Sequence, residues 1–197
     1  MNKIILGFDI SSSCTGWCAL KWNTETNELS HWKSGFYKPI KSTDLIERLA
    51  KTQEDIKKLI TTISPDYIGI EDIIEFIRGK SSAKTILTLS NFNRSIGLTC
   101  REYLKHSPTF FSVLSIRHGL KLSKEFPKKE EMPDLINHHL KMDLLGLHGP
   151  NKLYKKGTTI PRTEFYDIAD ACSVATYYGL VLSGKLKSPK TKVKKSK

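Results

Sequence analysis

At 197 residues and 39% hydrophobic content, the chain has the length and apolar fraction of one globular domain with its own core. No apolar stretch is long enough to span a bilayer, which excludes an α-helical membrane protein. The formal net charge of +12 favours a polyanionic partner, of which nucleic acid is the commonest.

Ile4, Ile5, Leu6, Phe8 and Ile10 predict a buried strand, and Asp9 sits inside it. A carboxylate there is costly unless it is hydrogen-bonded or neutralised by a cation. Ser11, Ser12, Ser13, Thr15 and Gly16 predict a tight polar turn, and residues 17–22 the returning strand. Asp9 taken alone equally fits an Asp that opens the turn, bonded to its own backbone. The N-terminal segment MNKIILGFDI has one lysine, an apolar run broken by Asp9 and no small-residue cleavage site. It reads as a strand rather than a signal peptide, and the expectation is a soluble protein in an intracellular, reducing, DNA-containing compartment.

Residues 29–37 predict a third strand. Asp44 and Glu47 have the spacing of a capping box opening an amphipathic helix to Ile63, with Leu45, Ile46, Leu49, Ile56, Leu59 and Ile60 inward. Ser64-Pro65-Asp66 stops it. Residues 67–70 form a short apolar strand ending at Glu71. Its place after a helix predicts a central parallel strand, whose carboxyl end is where open α/β sheets hold their ligands. Asp72 faces the other way and reads as a surface or capping acid.

Residues 73–83, with Phe76, Arg78, Gly79 and Lys80, read as a loop or a fraying helix start; 84–104 predict a long helix and 110–114 a strand. From 115 to 129 the chain is basic and reads as irregular, with Arg117, His118, Lys121, Lys124, Lys128 and Lys129. A helix is expected over about 129–144. Its adjacent His138 and His139 cannot share one metal from one face. Residues 146–162 read as a polar loop, and 164–182 as a buried Ala-rich helix whose Asp167 and Asp170 share a face. Residues 185–197 carry seven lysines and no acid, a disordered tail after a domain at 1–184; without it the net charge is still +5. The expected class is α/β, a mixed sheet in the order β-β-β-α-β-α-β-α-α flanked by helices. Cys14, Cys18, Cys100 and Cys172 form no CxxC pair and read as buried free thiols, and a Cys14–Cys18 disulfide across the hairpin is not expected. Trp17, Trp22 and Trp32, on or beside strands, read as core.

Four acids thus stand where acid is expensive: Asp9, Glu71, Asp167 and Asp170. Brought together they repel and demand protons or cations. All-carboxylate oxygen donors suit Mg²⁺ or Mn²⁺, and two such ions support in-line phosphoryl displacement. With a basic surface, the implied chemistry is metal-assisted hydrolysis of nucleic acid. Asp167 alone fits a helix cap, but that leaves Asp170, one turn on, without a role. The basic residues from Arg117 to Lys129 fit either a solvated face or contact with a DNA backbone.

The segments GFDISSSCTGW, SPDYIGIED with KSSAKTILTLSNFNRSIGLTC, and YDIADACSVATYYG, in this order, resemble the RuvC family of Holliday junction resolvases over most of residues 3–182. The resemblance implies a ribonuclease H-like fold, a homodimer, and Mg²⁺-dependent symmetric cutting of four-way DNA junctions in recombination and repair. By motif position it makes Asp9, Glu71, Asp167 and Asp170 the catalytic, metal-holding acids. Lys129, in KKEEM, resembles the family's basic residue facing DNA. The family's junction-entering aromatic, three residues after the second acid, is Ile74 here, with Phe76 nearest. Phe76, Arg78, Lys80, Arg117, Lys121, Lys128 and Lys129 are the expected DNA contacts. Three other readings stand beside this one. They are a broader branched-DNA or RNA–DNA hybrid nuclease of the same fold, a non-catalytic DNA-binding protein, and a sugar-kinase-like fold, for which the chain is short.

Overall fold

The computed structural model describes residues 1–73, 82–122, 124–148, 155 and 161–187. Strands β1 (Asn2–Ile10), β2 (Thr15–Asn23) and β3 (Glu28–Tyr37) form an antiparallel meander. On the other side of β1, strand β4 (Tyr67–Asp72) pairs parallel, followed by a parallel β5 (Thr109–Ser112), giving the order β3-β2-β1-β4-β5. This is the mixed α/β sheet the sequence predicts.

The two faces of the sheet are separated by strand alternation. Leu6, Phe8 and Ile10 of β1 join Ile68 and Ile70 of β4 in a core under helices α1 (Leu45–Ile63) and α2 (Ala83–Leu104). Ile5, Cys18, Leu20 and Phe111 face the opposite way, into a second core. It is formed with α3 (Val113–Leu120), α4 (Met132–Leu140), α5 (Leu144–His148) and the long α6 (Thr163–Leu182). Ile56, Ile60 and Ile63 anchor α1 at spacings of four and three, each contributing roughly 1.5–3 kcal/mol on burial. The Asp44 carboxylate accepts from the N–H groups of Ile46 and Glu47. Glu47, however, accepts from the Ser42 hydroxyl at 2.6 Å, so only half of the expected capping box closes. Ser64 ends α1 in the left-handed region at φ 50°, its N–H bonded to the Ile60 carbonyl.

Three stretches differ from the sequence reading. Residues 113–120 are helical, where 113 and 114 were expected to end the strand and 115 onward to be irregular: the Ser112 hydroxyl caps them, accepting from the Ser115 N–H, and Ile116 and Leu120 are buried one turn apart. The expected helix over 129–144 is instead a 3₁₀ turn at Lys129–Glu131, then α4 and α5. Pro133 sits in the first turn of α4, and Lys141 closes it in the left-handed region. Trp22 is buried, but Trp32 is only half-buried, with the Lys21 and Lys33 ammonium groups 5.4 and 5.0 Å from its ring centroid. All four cysteines are free and buried. Among the described residues no helix is long and apolar enough to cross a membrane. Most of the expected 146–162 loop and residues 188–197 of the tail lie outside the described residues.

Candidate active site

Asp9 stands near the carboxyl end of β1 on the face that carries Gly7, and it pairs across the antiparallel ladder with Gly16 of β2. Both glycines are needed for close approach. A Cβ on Gly7 would lie 2.4 Å from the Ala171 carbonyl oxygen, and one on Gly16 2.0 Å from that of Asp167. Helix α6 therefore rests its backbone on the sheet, which brings Asp167 and Asp170 up to Asp9. Gly16 is a strand residue with a packing role, where the sequence reading made it part of the turn. The β1–β4 register pairs Phe8 with Ile70, so Asp9 and Glu71 follow side by side on adjacent parallel strands. Asp9, Glu71, Asp167 and Lys129 line one cleft of about 230 Å³, and Asp170 is buried beside it. Asp167 is not a helix cap, since that position is Arg162.

The electrostatics follow from this crowding. Loss of solvation raises Asp9 well above the ordinary carboxylate range, and Glu71, Asp170 and Asp167 push it further. Glu71 is raised to about 8, by desolvation first and then by Asp170, with Arg117 and Lys129 opposing. Desolvation also raises Asp167 and Asp170. These two have a partner: the Lys129 ammonium lies 3.6 Å from Asp167 Oδ1 and 3.2 Å from Asp170 Oδ2. Burial first, and then the neighbouring Asp167 carboxylate, pushes the Cys14 thiol up.

Residues outside the acid motifs hold the site. Asn93, buried on α2, donates from Nδ2 to the Glu71 carbonyl at 2.9 Å. The next residue, Arg94, pairs with Asp72 at 3.2 Å, the acid after Glu71, which borders the same cleft. The turn after Asp9 is closed by Ser11, whose hydroxyl accepts from the Cys14 N–H at 2.9 Å and donates to the Cys14 carbonyl at 2.7 Å. Arg48 of α1 donates to the Ser12 carbonyl and lies over the Phe92 ring. The sequence reading missed Asn93 and Arg48. A signal existed for Asn93: it is an amide in helical register with Phe92, Ile96 and Cys100, all buried.

Comparison with known proteins gives the same frame. The structure superposes on Thermus thermophilus RuvC in complex with a Holliday junction substrate with a TM-score of 0.65, covering 91% of this chain and 94% of that one at 12% identity. The fowlpox virus resolvase, in complex with Holliday junction DNA, matches with a TM-score of 0.51 over 91% of this chain and 98% of that one, at 14% identity. The chain has the RuvC-type fold. No family model matches its sequence. The DNA mismatch repair protein MutS of Thermotoga sp. (strain RQ2) is 26% identical over 129 residues, 64% of this chain. That segment spans only 16% of the MutS protein.

On this RuvC-type frame the expected DNA contacts divide into three groups. Arg117, half-buried on α3, is close enough to hold Glu71 and Asp170 down. Lys121 ends α3 with its ammonium turned to the Lys124 carbonyl at 3.5 Å, and Lys128 is exposed. Lys129 faces the acids. Phe76, Arg78 and Lys80, with Ile74, lie outside the described residues. Among the described residues no three His, Cys, Asp or Glu side chains are set around one point as metal ligands; the cation placed between Asp167 and Asp170 is the Lys129 ammonium. The donors themselves, four carboxylates in excess of their two nearby cations, are of the kind that holds a hard divalent ion.

Proposed function

We propose that the chain is a divalent-metal-dependent endodeoxyribonuclease that cuts four-way DNA junctions. The observation that carries this is the meeting of Asp9, Glu71 and Asp167, from three distant parts of the chain, in one cleft with Lys129, with Asp170 buried beside it and Arg117 near enough to act on Glu71 and Asp170. A binding module gains nothing from crowding negative charge where DNA must approach. The fold likeness to two proteins seen with Holliday junction DNA supports the choice of substrate.

In this reading Asp9, Glu71, Asp167 and Asp170 hold Mg²⁺, with Mn²⁺ as a substitute. The bound cation supplies Lewis-acid activation of water and neutralisation of charge at the leaving oxygen. The chain's own groups do the rest. Asp9 and Glu71, both raised first by desolvation, are the two strand-borne carboxyl groups that would face a bound cation. Arg117 and Lys129 neutralise the phosphodiester and fix its position. Water displaces the 3′ oxygen, leaving 5′-phosphate and 3′-hydroxyl ends with no covalent intermediate. Two matched cuts in a four-armed substrate require two equivalent sites, hence a two-fold homodimer. Salt-sensitive backbone contacts by the basic surface supply affinity.

The test is cleavage of a four-way junction with Mg²⁺, with and without chelator, beside a fork, a duplex and an RNA–DNA hybrid. The junction should be cut in preference to the others, and chelator should stop the reaction. Asp9→Asn and Glu71→Gln should each slow cutting by about 10³-fold while junction binding without metal persists. Normal rates in both variants would sink the assignment, and equal cutting of the hybrid would reassign the substrate.

A further inference from the structure

We propose that Lys129 is the site's built-in counter-ion, seated where a divalent cation would be held, so that cation loading and the Lys129 ion pairs exclude one another. The inference rests on the nuclease reading above and adds a control element to it. Lys129 opens the 3₁₀ turn Lys129–Glu131 and reaches into the acid cleft. Its Nζ stands 3.2 Å from Asp170 Oδ2 and 3.6 Å from Asp167 Oδ1, so it bridges the two carboxylates of α6 as a small cation would. The charge count supports the same view. Four carboxylates face two cationic side chains, Lys129 and Arg117, and the remaining negative charge awaits protons or a metal. A divalent ion among the acids removes the reason for the ammonium to be there and repels it at close range.

The local structure lets the side chain leave without disturbing the fold. The turn is tied by its own bond, Lys128 N–H to Glu131 Oε2 at 2.8 Å. The Lys129 side chain is 44% exposed, whereas those of Asp167 and Asp170 are 13% and 9% exposed. Only the flexible lysine stem has to swing, and its exposed flank leaves it room to do so toward solvent. Lys129 is then a residue with two seats: on Asp167 and Asp170 without metal, and free to meet a phosphate with it. Metal loading and backbone contact become coupled through one side chain.

The test uses the full chain and Mn²⁺ or Mg²⁺ alone, without DNA, at fixed ionic strength. Calorimetric titration of Lys129→Met, which keeps the stem and removes the charge, should show cation binding tighter than in the unmutated protein by roughly fivefold or more. Lys129→Arg should show no such gain. In the unmutated protein the ¹³Cε signal of Lys129 should move to the position of a solvated lysine as Mg²⁺ saturates the site. Unchanged or weaker binding in Lys129→Met, or a Lys129 signal unmoved by saturating Mg²⁺, overturns the proposal. If Asp9→Asn abolishes binding while Lys129→Met leaves it unchanged, the counter-ion role fails and the metal-nuclease reading stands. If neither the unmutated protein nor Lys129→Met binds either cation, both fall.

Discussion

The acid cluster has two halves, and they are neutralised in different ways. Asp9 and Glu71 are borne by adjacent parallel strands; burial raises both, Glu71 to about 8, so each takes up a proton more readily than an exposed carboxyl group. Asp167 and Asp170 are borne by α6, and an ammonium group balances them. The supports differ as well. The helix-borne pair is positioned by what is missing, side chains at Gly7 and Gly16. The strand-borne pair is positioned by the sheet register and by a hydrogen bond from Asn93. One site is thus assembled by steric contact on one side and by polar contact on the other, and each half can be disturbed separately.

The largest effect should come from the steric side. Gly16→Val places a side chain where the Asp167 carbonyl now lies, so α6 must lift from the sheet. The expected loss is about 3 kcal/mol or more, a fall in Tm of roughly 10 °C, together with loss of cleavage. Thermal unfolding beside a junction assay checks it; a stable, active variant would mean that α6 does not set the position of Asp167. Asn93→Leu disturbs the other half. It leaves the Glu71 carbonyl without its amide donor, at roughly 1–3 kcal/mol, and should weaken cation binding while the Lys129 pairs with Asp167 and Asp170 remain.

The protons on the strand-borne half can be read from pH. A carboxyl group raised in the folded state binds its proton more tightly there than in the unfolded chain. Between the unfolded pKa, near 4.5, and the folded value, about 8 for Glu71, the folded protein holds more protons, so stability falls as pH rises. Metal-free protein should lose several degrees of Tm from pH 5 to pH 8. Glu71→Gln should flatten that slope and raise Tm at pH 8 while cleavage is lost. Circular-dichroism melts in chelator across the pH series would show it, and an unchanged slope would remove Glu71 from the account. The smallest effect belongs to Arg94→Ala. Its exposed pair with Asp72 is worth about 0.5 kcal/mol or less, and cleavage should stay within twofold of normal.

Much of this was legible in the residues. The apolar, β-favouring run Ile4–Ile10, the amphipathic run before Ser64 and the alanine-rich stretch after Thr163 placed strands and helices to within a few positions. The acids were legible because each interrupts apolar surroundings. What escaped depends on partners far along the chain. Gly16 follows a serine-rich turn and looks like part of it; only the packing of α6 shows that it is a contact surface. The 113–120 helix was hidden by the basic residues among its apolar positions, although Ser112 and the Ile116–Leu120 spacing mark it. Lys141 ends α4 in the left-handed region without the glycine that usually signals such a stop. Lys129 was legible as a cation near the site, but not as one turned inward.

At Gly7 and Gly16 the helix and the sheet meet backbone to backbone. Because α6 touches bare backbone there, the gap between helix and sheet has no slack: it is set by hydrogen atoms, not by adjustable rotamers. Selection or engineering cannot widen this cleft by trimming a residue, nor narrow it by adding one. Variation in reach toward a substrate must therefore come from segments around the rim, while the spacing of the four acids behaves as a constant of the scaffold.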